Sequence, residues 1–459
     1  VLPFADMSPQ KDQDYFCEGM AEEILNALTT LTSIRVVSRT SAFQFKGQAL
    51  DVRQIGERLG VQHVVEGSVR TAGNRVRITA QLVEVANGYH LWSERYDRQM
   101  DDVFAIQDEI ARAIVNRLKV KLVGDGEAPL VKRPTHDLEA YDLYLQGRHA
   151  WLSRRDEAGL RRAIDCFEQA IARDPAYAVA HAGLAYVYAS MAVYEVISPR
   201  EAFGRSKAAS ERALVLDAEL DEAYYALALA RMWFDWDFTG GESAFRRAIA
   251  LNPSLAMAHV NLALLLAVMG RPSEALAEAN LGRTLDPVSI VVAFTVARTV
   301  MFMGRYEEAL REVRRALELN PGFGPVWGAL SELLSREGKH AEAAQASEQY
   351  LAVARRNPRS LAVAAATAFS AGRRGEGDER LQELRSCSTA RYVSPMLIAT
   401  ALVARGDYGE ALTWLERGVE ERASTLFLLN VWMIWDPLRS DPRFVALTKR
   451  IGLPTVSRA

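Results

Sequence analysis

The spacing of hydrophobic positions changes character once along the chain. From Tyr15 to Leu31, the residues Phe16, Met20, Ile24, Leu28 and Leu31 recur at three or four, which predicts a helix. It follows a polar stretch, Ala5 to Asp14, with Ser8-Pro9 as a turn signal. Arg35 to Ser38 is a short β-branched run and reads as a strand. Asp51 is placed to cap a helix that runs to Leu59 and stops at Gly60. Val61 to Val69 reads as a strand, closed by the turn Ala72-Gly73-Asn74. Between Arg75 and Val85 the period is two. Val76, Ile78, Ala80 and Leu82 alternate with Arg75, Arg77, Thr79 and Gln81, the mark of a half-buried antiparallel strand. Asn87-Gly88 supplies a tight hairpin turn, and His90 to Tyr96 returns as a strand. Asp101 to Leu122 is an amphipathic helix carrying Val103, Ile106, Ile110, Ile114 and Leu118. Val1 to Phe4 reads as the end of a buried strand whose start precedes Val1. The expected order is β-α-β-α-β-β-β-α, a mixed sheet ending in an antiparallel meander with helices packed on it.

After a linker from Val123 to Thr135, which holds two Gly and two Pro, the pattern becomes purely helical and repeats. Pro253, Pro287 and Pro321 are spaced by 34 residues, each ending a helix. Ala275 and Ala309 stand twelve residues before the last two, and Ala263 and Ala297 twelve before those. Small residues there let the two helices of a repeat approach closely. This is the signature of the tetratricopeptide repeat, a helical hairpin that stacks into a solenoid. Asp174-Pro175, Leu216-Asp217, Asn357-Pro358 and Gly406 with Ala411 extend the array to about seven or eight repeats. The expected organisation is an α/β domain over 1–122, a linker over 123–135, repeats over 136–425 and a C-terminal cap over 426–459. The composition break predicts two separately folded units.

Composition changes this picture little. The chain has 459 residues, 49% of them hydrophobic and 25% charged, ordinary globular values. With 55 Lys and Arg against 58 Asp and Glu it has no basic excess, which argues against nucleic acid as a partner. Paired arginines such as Arg154-Arg155, Arg246-Arg247 and Arg355-Arg356 read as a solvated outer face balanced by Glu. Cys17, Cys166 and Cys387 lie far apart and build neither a disulfide framework nor a zinc site. Such usage points to the cytoplasm, with the periplasm open if a membrane segment precedes Val1. No apolar run reaches the ~18 residues of a membrane helix.

Catalytic motifs are missing. There is no phosphate-binding loop, no Gly-x-Gly-x-x-Gly, no His-Glu-x-x-His and no Gly-x-Ser-x-Gly. The seven histidines are scattered; His181 and His259 both fall at the fourth position of a repeat, where a packing residue belongs. Trp233 to Phe238, with two Trp in four residues, reads as filling for an extra residue in its repeat or as a platform for a sugar or peptide. No catalytic residue, cofactor or metal site is expected in this chain.

In a repeat array of this kind the first helix of each hairpin lines the concave surface. With Ala263 at the eighth position, positions two, five and nine are Met257, Val260 and Leu264. The same register gives Val291, Phe294 and Arg298 in the next repeat. It gives Glu222, Tyr225 and Leu229 in the preceding one, with Tyr186 before that. This lining is mainly apolar and aromatic with one cation, and predicts a groove for an apolar helix or extended peptide. Its residues are Tyr186, Tyr225, Leu229, Met257, Val260, Leu264, Phe294 and Arg298.

The first 122 residues resemble the TolB-type amino-terminal domain of bacterial regulatory proteins. The resemblance rests on Val1-Leu2-Pro3-Phe4, Tyr15-Phe16 with Gly19, Val36-Val37-Ser38-Arg39, Glu66-Gly67-Ser68-Val69-Arg70 and His90-Leu91-Trp92-Ser93-Glu94-Arg95-Tyr96-Asp97. It implies a regulatory module that controls an effector, attached or as a partner. The expectation is a non-catalytic module binding a protein or peptide, with a homo-oligomer compatible with it. The alternative is the sensory C-terminal half of an adenylate cyclase or winged-helix regulator whose effector lies upstream of Val1.

Overall fold

The computed structural model describes residues 1–29, 31, 34–48, 50–118, 130–131, 133–153, 157–389 and 391–454. Four strands, β1 (Ala5–Asp6), β2 (His63–Ala72), β3 (Arg75–Glu84) and β4 (His90–Gln99), form one sheet in that order. β1 runs parallel to β2 with Ala5 opposite Ser68, and the other pairs are antiparallel. Alternation along β3 decides its faces. Val76, Ile78, Ala80 and Leu82 are buried, while Arg75 and Arg77 stay outside and both reach Asp97 of β4, at 2.7 and 2.6 Å.

The accompanying helices are α1 (Asp14–Thr29), α2 (Arg39–Ala42), α3 (Val52–Leu59) and α4 (Val103–Arg117). α3 opens on a reciprocal cap. The Asp51 carboxylate accepts from Arg53 N, and the Gln54 side chain accepts from Asp51 N. α1 and α4 share a core with Val65 and the buried side of β3, whereas Ile55 and Leu59 of α3 pack with Val64.

Two sequence expectations fail here. The strand begins at Ala5 rather than occupying Val1–Phe4, although Leu2 N already bonds Val65 O at 2.8 Å. Arg35–Ser38 is not a strand. The Ser38 amide bonds Leu285 O, 2.8 Å away in the repeat array, so the segment's hydrogen bonding leads away from the sheet.

Eight helical hairpins follow among the described residues. They are α5 (Leu138–Ser153) with α6 (Glu157–Arg173), α7 (Ala178–Val193) with α8 (Pro199–Leu216), and α9 (Asp221–Ala230) with α10 (Phe238–Leu251). Next come α11 (Ala256–Val268) with α12 (Pro272–Leu285), and α13 (Ile290–Phe302) with α14 (Tyr306–Leu319). The last three are α15 (Gly324–Arg336) with α16 (His340–Val353), α17 (Pro358–Ser370) with α18 (Arg374–Cys387), and α19 (Pro395–Arg405) with α20 (Tyr408–Glu421). A short helix α21 (Pro442–Arg450) ends the chain's described part. Ala263, Ala275, Ala297 and Ala309 are fully buried where helices meet. Gly270, Gly304, Gly338, Gly372 and Gly406 close the first helices of five successive hairpins, all with positive φ, the conformation glycine takes without steric cost.

One hairpin departs from the period. Leu229 precedes its counterpart Leu264 by 35 residues, but Phe238 precedes Pro272 by 34. The extra residue lies between them and is absorbed as a π-helical turn, Arg231–Asp235. Trp233 is buried there against Phe427, 4.9 Å between ring centroids, so the tryptophan-rich stretch fills a gap.

The solenoid curls back on itself. Glu195, after α7, pairs with Arg359 of α17 at 3.0 Å, and Arg422, after α20, donates to Phe234 O at 2.8 Å. Ser424 reaches Ala192 O at 3.3 Å. The eighth hairpin therefore meets the second and third.

The α/β unit docks on this ring at two places. α1 packs on α5, where Gly19 permits close approach: a Cβ there would stand 2.5 Å from Leu145 Cδ2. Ile24, Leu28 and Val115 share one core with Tyr141, Tyr144 and Leu145 of the first hairpin. The two units thus meet in a common core. Of the expected linker, residues 123–129 and 132 lie outside the described set, as do Arg154 and Arg155. The second docking place is the turn between α12 and α13. Thr40 and Ser41 donate to the Asp286 carboxylate, Ser41 Oγ accepts from Val288 N, and Gln44 donates to Val288 O.

Candidate functional site

Closing the solenoid converts its concave face into a central cavity of about 730 Å3, walled by α1, the Ser38–Thr40 segment and the first helices of the hairpins. Its volume puts it in the range of small-ligand pockets, ~300–1,000 Å3.

Of the expected groove residues, Tyr186, Tyr225, Leu229, Met257, Leu264, Phe294 and Arg298 all line the cavity. Their exposure differs. Tyr225, Leu229 and Leu264 are 2%, 4% and 1% exposed, so they form its wall rather than an open groove. Tyr186, Met257, Phe294 and Arg298 are partly exposed. Val260 is misassigned. It is fully buried with Ala263, Ala279 and Val292, because the fifth position of α11 faces Gly282 of α12, where a Cβ would come within 2.5 Å of its Cγ1.

Aromatic rings form a ladder along one wall. Trp151 meets Tyr186 edge-on at 4.4 Å between centroids, and Tyr186 meets Tyr225 at 4.9 Å. The Tyr225 hydroxyl accepts from Asn261 Nδ2 at 3.1 Å.

The cavity also carries more charge than the sequence reading allowed. At one end Arg298 lies over Phe294 and Phe302, 5.6 and 5.1 Å from their centroids. Burial, helped by the neighbouring Arg359 charge, pushes its guanidinium down to about 10. Glu332, held by Trp432 Nε1 at 3.0 Å, is pushed up by its burial. Glu332 and Arg359 were legible: the register that gives Arg298 and Met257 reaches them one and three repeats later.

The other end is acidic. Buried Arg148 joins Glu22 of α1 to Glu222 of α9, with its Nη1 2.7 Å from Glu222. Arg39 spans Glu18 and Glu22, at 2.8 and 3.1 Å. Burial opposes ionisation of Glu18, but the His149 hydrogen bond and the Arg39 and Lys46 charges hold it down at about 2. At Glu23 the Arg148 charge pulls the same way but does not prevail: burial, then the charge of Glu22, push it up to about 7. Asp221 accepts from Asn252 Nδ2 at 2.7 Å and is pushed up to about 6 by burial and the Glu222 charge. Glu22 and Glu23 sit on a helix read only for its apolar stripe, so their role emerges from docking on α5.

His259 behaves as the packing residue expected: Nδ1 is 2.6 Å from Glu278 and Nε2 3.0 Å from Pro253 O. His181 and Trp327 make the same reach, to Pro175 O and Pro321 O. Among the described residues no group of three or more His, Cys, Asp or Glu is placed to hold a metal ion, and no helix is long and apolar enough to cross a membrane.

Residues 237–289 and 303–367 match models of the tetratricopeptide repeat, and the chain carries such repeats. A protein of Rhizobium meliloti (strain 1021) named putative adenylate cyclase 3 is 37% identical over 235 residues. That match covers 51% of this chain and 40% of the relative, so the chain spans less than half of that protein's length. Among solved structures, PilW, a type IV pilus biogenesis factor, is similar at 17% identity over 48% of this chain and 98% of that one, with a TM-score of 0.37. YrrB, described as a repeat protein with an unusual peptide-binding site, is 17% identical over 41% of this chain and 91% of that one, with a TM-score of 0.29.

Proposed function

We propose that this chain is a non-catalytic regulatory module of a bacterial signalling protein, in which an occupant of the central cavity is sensed jointly by the solenoid and the α/β unit. The observation that carries this reading is the shared wall: Glu22, Glu23 and Arg39 come from the α/β unit, and Tyr225, Leu264 and Arg298 from the repeats. An occupant touching both groups favours their docked arrangement over any other. A volume of about 730 Å3 suits a short extended peptide segment or a molecule of that size. It is too small for several turns of helix, whose diameter with side chains is about 10–12 Å. The α/β unit is read as a TolB-type domain on the motifs quoted above.

Titration of the full chain with extended peptides, read by calorimetry, tests the cavity. Binding is expected for wild type and lost in Leu264→Asp, with circular dichroism confirming the fold. Equal binding by a folded Leu264→Asp refutes the assignment. The relative's name favours a second reading, a sensory part of an adenylate cyclase. Cyclic AMP formation by the natural polypeptide that carries this chain, with and without a cavity occupant, decides that reading.

A further inference from the structure

We infer that the acidic end of the cavity receives an ammonium group, carried on an apolar or aromatic stem that lies along the Trp151–Tyr186–Tyr225 ladder. This rests on the reading of the cavity as the binding site. Glu23 lines the cavity and has neither a hydrogen-bond nor an ion-pair partner among the described residues. Asp221 also lines it, and its carboxylate holds Asn252 but no cation. The nearby guanidinium of Arg148 is divided between Glu22 and Glu222. An independent observation points the same way. Tyr144, 4% exposed, lines the cavity beside these carboxylates, and its hydroxyl has no hydrogen-bond partner among the described residues. A desolvated pocket with two carboxylates short of countercharge, an idle hydroxyl acceptor and aromatic faces is complementary to an organic cation. At the opposite end Arg359 is paired with Glu195, and Arg298, whose guanidinium burial pushes down, has the Glu332 carboxyl nearby, so that end offers a cation rather than a carboxylate to an occupant. Burial raises Glu23 and Asp221, as it should where a countercharge is missing.

An ammonium group comes from a free amine or from a lysine side chain, and calorimetry on the full chain at pH 8 distinguishes them. The probes are 2-phenylethylamine, its neutral analogue 2-phenylethanol, the peptide acetyl-Phe-Lys-Phe-amide and its norleucine counterpart. An amine probe is expected to bind at least roughly tenfold tighter than its neutral partner. The tighter of the two amines names the source. Glu23→Gln and Asp221→Asn should each remove most of that preference while leaving neutral probes unchanged. Should Glu23→Gln fail to fold, Asp221→Asn, away from the α1–α5 contact, carries the same test. Equal affinity for charged and neutral probes overturns the inference, as does an undiminished preference in folded variants. Binding of the norleucine peptide alone, lost in Leu264→Asp, overturns the inference but leaves the cavity reading standing. No binding by any probe removes both.

Discussion

The two places where the α/β unit meets the solenoid are built on different physics. At α1 and α5 the contact is a continuous apolar core, closed around Gly19 and stitched by Arg148, Glu22 and the 2.7 Å bond from Tyr15 to Asp142. At the α12–α13 turn it is a knot of hydrogen bonds around the buried Asp286 carboxylate, with Val288 as the solenoid's apolar contribution. Apolar burial is non-directional and tolerates small shifts, whereas a hydrogen-bonded knot is either formed or broken. The first contact therefore anchors the unit, and the second is the one a small displacement breaks.

The sharpest way to break this contrast is Arg148→Ala. Removing the cation leaves buried Glu22 with Arg39 alone and strips the partly buried Glu222 of its guanidinium, and should cost on the order of 3 kcal/mol in urea unfolding. A loss below about 1 kcal/mol would show the anchor to be purely apolar. Asp286→Ala should cost less, about 1.5–3 kcal/mol, as hydrogen bonds to a charged group do. Its signature is local: amide exchange rises over Ser38–Gln44 and stays slow in α1. Equal acceleration in α1 would mean that the two contacts form one cooperative unit. Ala297→Leu, inside the repeat array and in neither contact, should overpack a buried helix contact by about 1–3 kcal/mol while both docking signatures persist. An unchanged melting midpoint would contradict the repeat register.

A last test separates carboxylates by sign. Glu18, held at about 2, contributes stability that is complete above its ordinary value near 4.5 and lost as pH falls towards 2. Glu23, raised to about 7, does the opposite: the folded state binds its proton more tightly, so stability declines as pH rises from about 4.5 to 7 and is level above. The groups facing Glu23 are Glu22 of α1, Tyr141, Tyr144 and Arg148 of α5, Tyr177 just before α7, and Glu222 of α9. Glu23→Gln should flatten the decline in chemical unfolding between pH 5 and 7. A decline as steep as in wild type would assign it to other groups.

Local features of the fold were legible because their causes are local. The period-two run Arg75–Val85 has one buried face, Asp51 and Gln54 cap α3 within four residues, and Pro253, Pro287 and Pro321 mark repeat ends. A second 34-residue marker, Gly270 through Gly406, was equally visible, since only the turn chemistry of single residues produces it. Extending the inward register beyond Arg298 would likewise have exposed Glu332 and Arg359. The error at Arg35–Ser38 has the opposite origin. Its β-branched residues suit a strand, but its hydrogen-bond partner is Leu285, some 250 residues away.

What the chain encodes in its neighbouring residues is therefore the helix phase, the hairpin period and the meander, each enforced by backbone geometry and a few side chains. Whether the concave face stays open was settled by long-range pairs: Arg359 with Glu195, Arg422 with Phe234, Asp286 with Thr40 and Ser41. Small rotations between successive repeats accumulate into curvature, and only when the ends meet do groove residues become cavity walls. The desolvation of Glu23 and Asp221 likewise comes from elements distant in the chain, α1, α5 and α9, brought together. A carboxylate's surroundings depend on every element packed around it, not on the residues beside it in the chain.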